Sequence, residues 1–141
     1  MACDQDGGNC RNVVIAASTG APRALPGPAI SLVNWQWPGD PGAVAPDGSI
    51  AALLVEGRDG TASLELVSLA SGAVRPVAVS VPPFSSSQTM AWSPDSRCLF
   101  VLTAGGRLAA VSPATGRVQE LDLGLTGVSQ IAIRAAARWP R

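Results

Sequence analysis

The sequence predicts an all-β protein built from antiparallel, four-stranded units that repeat along the chain. Apolar runs of about 4–8 residues alternate with turn residues at about 8–12-residue spacing, which is typical of all-β folds. Glycine and proline are frequent, at 15 and 12 of 141 residues. No window keeps a 3.6-residue periodicity, so helices are not expected.

The first complete unit begins at a proline turn that returns in the second. Ala45-Pro46-Asp47-Gly48-Ser49 and Ser93-Pro94-Asp95-Ser96-Arg97 lie 94 − 46 = 48 residues apart. Proline fixes φ and the aspartate bonds its own backbone, which predicts a tight connection at Pro46, Asp47 and Gly48 and again at Pro94 and Asp95. An apolar run follows each turn, at 50–55 and at 98–102.

A glycine hairpin closes both complete units. Ser71-Gly72 and Thr115-Gly116 each stand between two alternating runs, with 116 − 72 = 44 residues between the glycines. We expect Gly72 and Gly116 to supply the positive φ that this hairpin requires.

The repeat extends beyond the two complete units at both ends. Residues 12–25 resemble the second half of a unit and contain the same Thr-Gly turn, and residues 128–133 match the opening strand at 87–92. We therefore divide a repeat domain of residues 1–133 into parts. They are unit 1, a half unit (1–25), unit 2 (42–78), unit 3 (88–123), the first strand of a further unit (128–133), and a tail outside the domain (134–141).

The best-preserved repeat segments indicate a known architecture. Ala91-Trp92-Ser93-Pro94-Asp95-Ser96 and Pro113-Ala114-Thr115-Gly116-Arg117-Val118 resemble a blade of a β-propeller, of the TolB-like or WD-repeat-like type common in bacterial proteins. The resemblance covers about residues 10–133, although the Gly-His and Trp-Asp dipeptides of WD repeats are missing. It implies a binding scaffold, and such blades also occur in oligopeptidases.

The number of units is too small for a closed ring. A propeller needs about 4–8 blades, and this chain supplies under three. Repeat units that cannot bury their faces alone need neighbours. We therefore expect an incomplete propeller. We favour a fragment of, or relic from, a larger propeller protein over a truncated product or a chain that associates with other copies.

Composition excludes several classes of function. The chain has no His, Lys or Tyr, and ten arginines balance ten acidic residues. Without histidine there is no Ser-His-Asp triad, no Cys-His pair and no HExxH zinc site. The balanced charge gives no preference for nucleic acid or anionic membranes. We expect no catalytic residue, no cofactor and no metal site.

Two cysteines near the N-terminus are candidates for a disulfide. An Asp6-Gly7 hairpin turn places Cys3 opposite Cys10, whereas a Gly7-Gly8 turn would place Cys3 opposite Asn12. A bridge would imply an oxidising compartment. This pair and the TolB-like resemblance favour an extracytoplasmic parent protein, although Met1–Gly8 has no signal-peptide pattern.

The other candidate side chains have structural interpretations beside functional ones. Asp47 and Asp95 invite a calcium or catalytic role, but each is the turn-forming residue of its repeat. Cys98 is predicted to be an apolar thiol at the start of a strand. Trp35 and Trp37 would share one face of an extended segment, and there they either cover the core or form a surface for a ligand or partner.

Two functions follow from these observations. The first is a non-catalytic binding module that meets a protein partner, or further copies of itself, through exposed blade edges. The alternative is the propeller portion of an oligopeptidase-like hydrolase whose catalytic domain lies outside this chain. No apolar run reaches the ~18 residues that a membrane-spanning helix needs, so we expect no membrane insertion by this chain.

Overall fold

The computed structural model describes residues 2–3, 10–11, 13–15, 18–24, 44–56, 62–82, 89–125, 127–128 and 130–133. These residues form antiparallel β-sheets and contain no helix. The all-β prediction is therefore confirmed for the part of the chain that the structure describes.

Eleven strands occur within these ranges. Their bounds are β1 (Ala2–Cys3), β2 (Cys10–Arg11), β3 (Val13–Ile15), β4 (Pro22–Ala24), β5 (Ile50–Glu56), β6 (Ala62–Ser68), β7 (Val74–Val81), β8 (Met90–Trp92), β9 (Leu99–Leu102), β10 (Leu108–Val111) and β11 (Val118–Leu121).

Units 2 and 3 are the two largest sheets, and each is a simple meander. Unit 3 has the strand order β8-β9-β10-β11, and unit 2 has β5-β6-β7. Within the described residues, the fourth strand of unit 2 is represented by a bridge between Val44 and Ala51. This bridge corresponds to the pair Trp92 and Leu99 in unit 3, because both residues are shifted by 48 positions.

Shorter segments precede and follow these two sheets in the sequence. Strands β1 and β2 pair with each other, as do β3 and β4. Residues 127–128 and 130–133 belong to no strand, whereas the sequence predicts the first strand of a further unit over 128–133. A strand is defined by hydrogen bonds to a neighbouring strand, and the described residues 128 and 130–133 are assigned to none. The further strand therefore stays a prediction.

The turns repeat at the level of single hydrogen bonds. Ala45 N donates to Ile50 O over 2.9 Å, and the shifted pair Ser93 N and Cys98 O lies at 2.8 Å. In the glycine hairpins, the hydroxyls of Thr19, Ser71 and Thr115 each accept the backbone N–H two residues later at 3.2 Å. The hairpin hydrogen bond therefore occurs in all three units, and the proline-turn hydrogen bond occurs in units 2 and 3.

The main core lies between units 2 and 3. From unit 2 it takes one face of the sheet, including Leu64, Leu66 and Val77, and from unit 3 the facing side, including Leu99 and Val111. A smaller cluster of Ala51, Leu53 and Val67 lies on the other face of unit 2. Both faces of unit 2 are thus apolar, as in a sheet that is packed on two sides.

Units 2 and 3 differ in length at one hairpin. The distance from turn proline to hairpin glycine is 72 − 46 = 26 residues in unit 2 and 116 − 94 = 22 in unit 3. The ladder accounts for this difference. Beyond the pair Leu54 and Leu64, which corresponds to Leu102 and Leu108, strands β5 and β6 add the pairs at residues 55/63 and 56/62.

Candidate interaction surface

The described residues do not assemble a metal-binding cluster. They contain no group of three or more Cys, Asp or Glu side chains placed to hold a metal ion. Cys98 is half-buried beside β9, and this burial raises the pKa of its thiol, with a smaller contribution from the nearby Asp95 carboxylate. A raised pKa lowers the thiolate fraction at neutral pH, so Cys98 is a poor nucleophile.

Asp47 and Asp95 bind their own turns. One carboxylate oxygen of Asp47 accepts the Ser49 hydroxyl at 2.7 Å and the Ser49 backbone N–H at 2.9 Å. These bonds lower the pKa of Asp47. Asp95 accepts the Ser93 hydroxyl at 2.6 Å and the Arg97 N–H at 3.1 Å, and its pKa is lowered by these bonds too. Both carboxylates therefore have a structural part in the turns.

An arginine of each earlier unit binds the hairpin of the unit that follows it. Arg75, on β7 of unit 2, donates from Nη1 to Pro113 O at 3.0 Å and to Ala114 O at 2.6 Å in unit 3. Arg23, on β4 of unit 1, donates from Nη1 to Ala70 O in unit 2. In both contacts the arginine stands three residues after a hairpin glycine. The equivalent acceptor carbonyls, of Ala70 and Ala114, stand two residues before the next hairpin glycine. We call this contact the arginine bridge.

The arginine bridge is closely packed in unit 3. A Cβ atom built on Gly116, whose φ is +75°, would stand 3.0 Å from Arg75 Cδ. The arginine stem therefore lies directly on the hairpin that its guanidinium binds. Sequence reasoning missed this role, although the signal was present: both donors end a Gly-Ala-x-Arg motif, at 20–23 and 72–75.

Unit 3 presents the same sheet face that unit 2 uses to pack. Leu64, Leu66 and Val77 of unit 2 are buried against unit 3. Shifted by 44 residues, the corresponding positions of unit 3 are Leu108, Ala110 and Leu121, and all three are only half-buried. We call this side of the sheet, together with Phe100 and Gln119, the outer face of unit 3.

A groove of about 680 Å³ lies along this outer face. Its floor includes Phe100, Leu108 and Leu121, and its other wall comes from residues 122–125, 128 and 130–133. Leu123 and Leu125 line it while remaining more than half exposed. Arg107 and Glu120 form an ion pair of 3.1 Å at the rim, with both side chains largely in solvent. Such a pair contributes little to stability, so the apolar floor is the main feature.

The remaining predicted site residues are the cysteine pair near the N-terminus and the two tryptophans. The backbone register pairs Cys3 with Cys10 across β1 and β2, as the Asp6-Gly7 turn requires. The disulfide itself stays a prediction. Trp35 and Trp37 lie outside the described residues.

Neither a membrane-spanning helix nor a known relative identifies the surface. The described part of the chain has no helix with the length and apolar character needed to span a membrane. Comparison with known protein families and with curated proteins gives no match for this sequence.

Proposed function

We propose that this chain is a non-catalytic interaction module built from propeller-type blades, and that it acts by presenting the outer face of unit 3 to another protein. One observation carries the proposal: Leu64, Leu66 and Val77 are buried in unit 2, where a further unit covers them, whereas their counterparts Leu108, Ala110 and Leu121 are half-buried in unit 3. An apolar sheet face of this kind gains free energy when a partner removes it from water.

The interaction uses backbone and apolar groups rather than chemistry at a side chain. The described surface offers a groove with an apolar floor, an exposed edge strand β11, and one exposed ion pair at the rim. Edge strands and apolar faces are the surfaces through which β-proteins associate. The partner is therefore a protein that presents an apolar surface or a free strand edge of its own.

Light scattering on the purified chain, coupled to size-exclusion chromatography, tests this function. We expect a discrete assembly whose mass is a multiple of 14.3 kDa, formed over a defined concentration range. A shift on addition of reductant would add support for the Cys3–Cys10 bridge. A monomer at all concentrations that melts cooperatively and binds no hydrophobic dye would overturn the proposal, because its sheet faces would then be satisfied within one chain.

A further inference from the structure

We infer that the partner is a second copy of this chain, which docks its unit 1 onto the outer face of unit 3 in a head-to-tail arrangement. This inference rests on the proposed function and specifies its partner and register. At the junction, two chains would pack against each other as units 2 and 3 pack within one chain.

The tail side of the junction is the outer face of unit 3, which no further unit covers. Among the described residues, only the groove wall at 122–125, 128 and 130–133 lies beside it. Val79 of unit 2 packs against the shared core. Its counterpart 44 residues later is Leu123, which is 55% exposed. Together with half-buried Leu108 and Leu121, it forms an apolar surface where unit 2 has an interface.

The head side of the junction is the face of unit 1 that carries Ile15, and it too exposes an apolar side chain. Val67 and Val111 each stand five residues before a hairpin glycine, and they are 1% and 0% exposed. Val111 lies in the core shared with the preceding unit. In unit 1 the same position is Ile15, which is 66% exposed. A large apolar side chain is thus in solvent where its two counterparts are buried.

The arginine bridge gives the junction a polar register. The third donor position is Gln119, three residues after Gly116, and its exposed side chain makes no hydrogen bond within the described residues. The third acceptor position is the carbonyl of Ser18, two residues before Gly20. In the docked pair, the Gln119 amide of one copy donates to Ser18 O of the other, as Arg23 and Arg75 do within the chain.

The two surfaces are different, so the interface is heterologous. Such an interface forms a ring if the rotation closes and an open filament if it does not. Each chain keeps one free head and one free tail until closure. This property allows the arrangement to be tested by complementation between two variants.

The experiment blocks each end separately in the full chain. Ile15→Asp places a charge on the head, and Leu123→Asp places one on the tail. Both positions are exposed in the single chain, so both variants are expected to fold. We expect each variant alone to be a monomer at concentrations where the unmodified chain associates. Mixed in equal amounts, they should form a heterodimer of two chains, because each supplies the surface that the other lacks.

A control separates docking from a general effect of added charge. Val74 is 41% exposed and belongs to unit 2 rather than to either end. Val74→Asp should leave association unchanged. If the unmodified chain associates but the two variants do not complement each other, head-to-tail docking is overturned and the proposed function stands. If the unmodified chain is a monomer throughout but binds a hydrophobic dye, docking between copies is overturned and the proposed function stands. If the monomer also melts cooperatively and binds no dye, both fail.

Two substitutions at Gln119 test the register. Gln119→Arg restores the residue type of the other two units and should tighten association roughly 3- to 10-fold, as expected when a neutral hydrogen bond is replaced by a charge-assisted one. Gln119→Glu cannot donate and should weaken it. Equal affinities for the two variants would overturn the Ser18 contact.

Discussion

Asp47 donates its backbone N–H to the hydroxyl of Ser96 over 3.0 Å, so equivalent turns of two successive units are joined by one hydrogen bond. Ser96 occupies the position of Gly48. Its φ is +60°, and it is the one non-glycine residue with positive φ in the part of the chain that the structure describes. A serine at a site suited to glycine therefore provides the contact between the turns.

Substitutions at Ser96 separate the effect of its hydrogen bond from the cost of its positive φ. Ser96→Ala loses the hydrogen bond and keeps the unfavourable φ, so we expect it to lower the free energy of unfolding by about 1 kcal/mol. Ser96→Gly loses the bond but removes the φ cost of about 1 kcal/mol, and should be nearly neutral. Urea denaturation measures both. A glycine variant as unstable as the alanine variant would contradict the backbone argument.

Removal of the arginine bridge between units 2 and 3 should destabilise the fold. Arg75→Ala abolishes two hydrogen bonds to carbonyls of unit 3, and we expect a loss of about 1 kcal/mol, since the guanidinium is partly in solvent. Arg117 is exposed and its side chain makes no hydrogen bond to the described residues, so Arg117→Ala is a matched control with no expected effect. If both variants lower the free energy of unfolding equally in chemical denaturation, the arginine bridge does not stabilise the fold.

Hairpin glycines should differ in their response to alanine. Gly20 and Gly116 both have positive φ, which costs an alanine about 1 kcal/mol. At Gly20 the new Cβ meets nothing within 4 Å, whereas at Gly116 it meets Arg75 Cδ at 3.0 Å. Gly116→Ala should therefore be the more destabilising of the two. In an Arg75→Ala background the two costs should become equal, and a double-mutant cycle checks this.

Truncation of equivalent leucines should report the difference between a covered and an uncovered sheet face. Leu64 is fully buried, and Leu64→Ala should cost about 3 kcal/mol. Leu108 is its half-buried counterpart, and Leu108→Ala should cost about 1–2 kcal/mol in the dilute chain. The comparison is made by denaturation at low chain concentration. Equal costs would show that Leu108 is packed as well as Leu64.

The aspartate turns predict a pH dependence. The pKa of Asp47 lies below its ordinary value of 3.8 because Ser49 bonds the charged form. A depressed pKa in the folded state contributes stability that is present above pH 3.8 and is lost as the pH falls through the folded pKa.

Asp47→Asn removes this titration. The melting temperature of the unmodified chain should exceed that of the variant by a constant amount near neutral pH, and the excess should shrink below pH 3.8. Asp95→Asn should behave in the same way, since the pKa of Asp95 is also lowered. An excess that does not change with pH would contradict bonding to the carboxylate.

The parts of the fold that follow from the sequence are those with local causes. Pro46 and Asp47 define a turn through their own φ and hydrogen bonds, and Gly72 does the same for the hairpin, with a φ of +74°. The alternating runs predict strands for a similar reason. Their ends shift by one to three residues, because the neighbouring strand decides where a ladder stops.

The interaction surface depends on relationships that are not local. Alternation shows that a strand has two faces, but it does not show which face meets the next unit. The exposure of Ile15 is significant only beside the burial of Val67 and Val111. Likewise, Arg23 and Arg75 are ordinary surface residues until the position of the following hairpin is known, although their shared spacing from a glycine was readable.

The longer hairpin of unit 2 has a practical consequence for engineering. At the hairpin end, strands β5 and β6 exceed their counterparts in unit 3 by two residue pairs, and the side chains below the extension keep their faces. A β-hairpin grows along its strands, within the plane of its sheet, and so away from the two surfaces that stack. A short peptide epitope inserted between Glu56 and Ala62 would be displayed at the margin of the molecule, where an antibody could bind it without blocking either end.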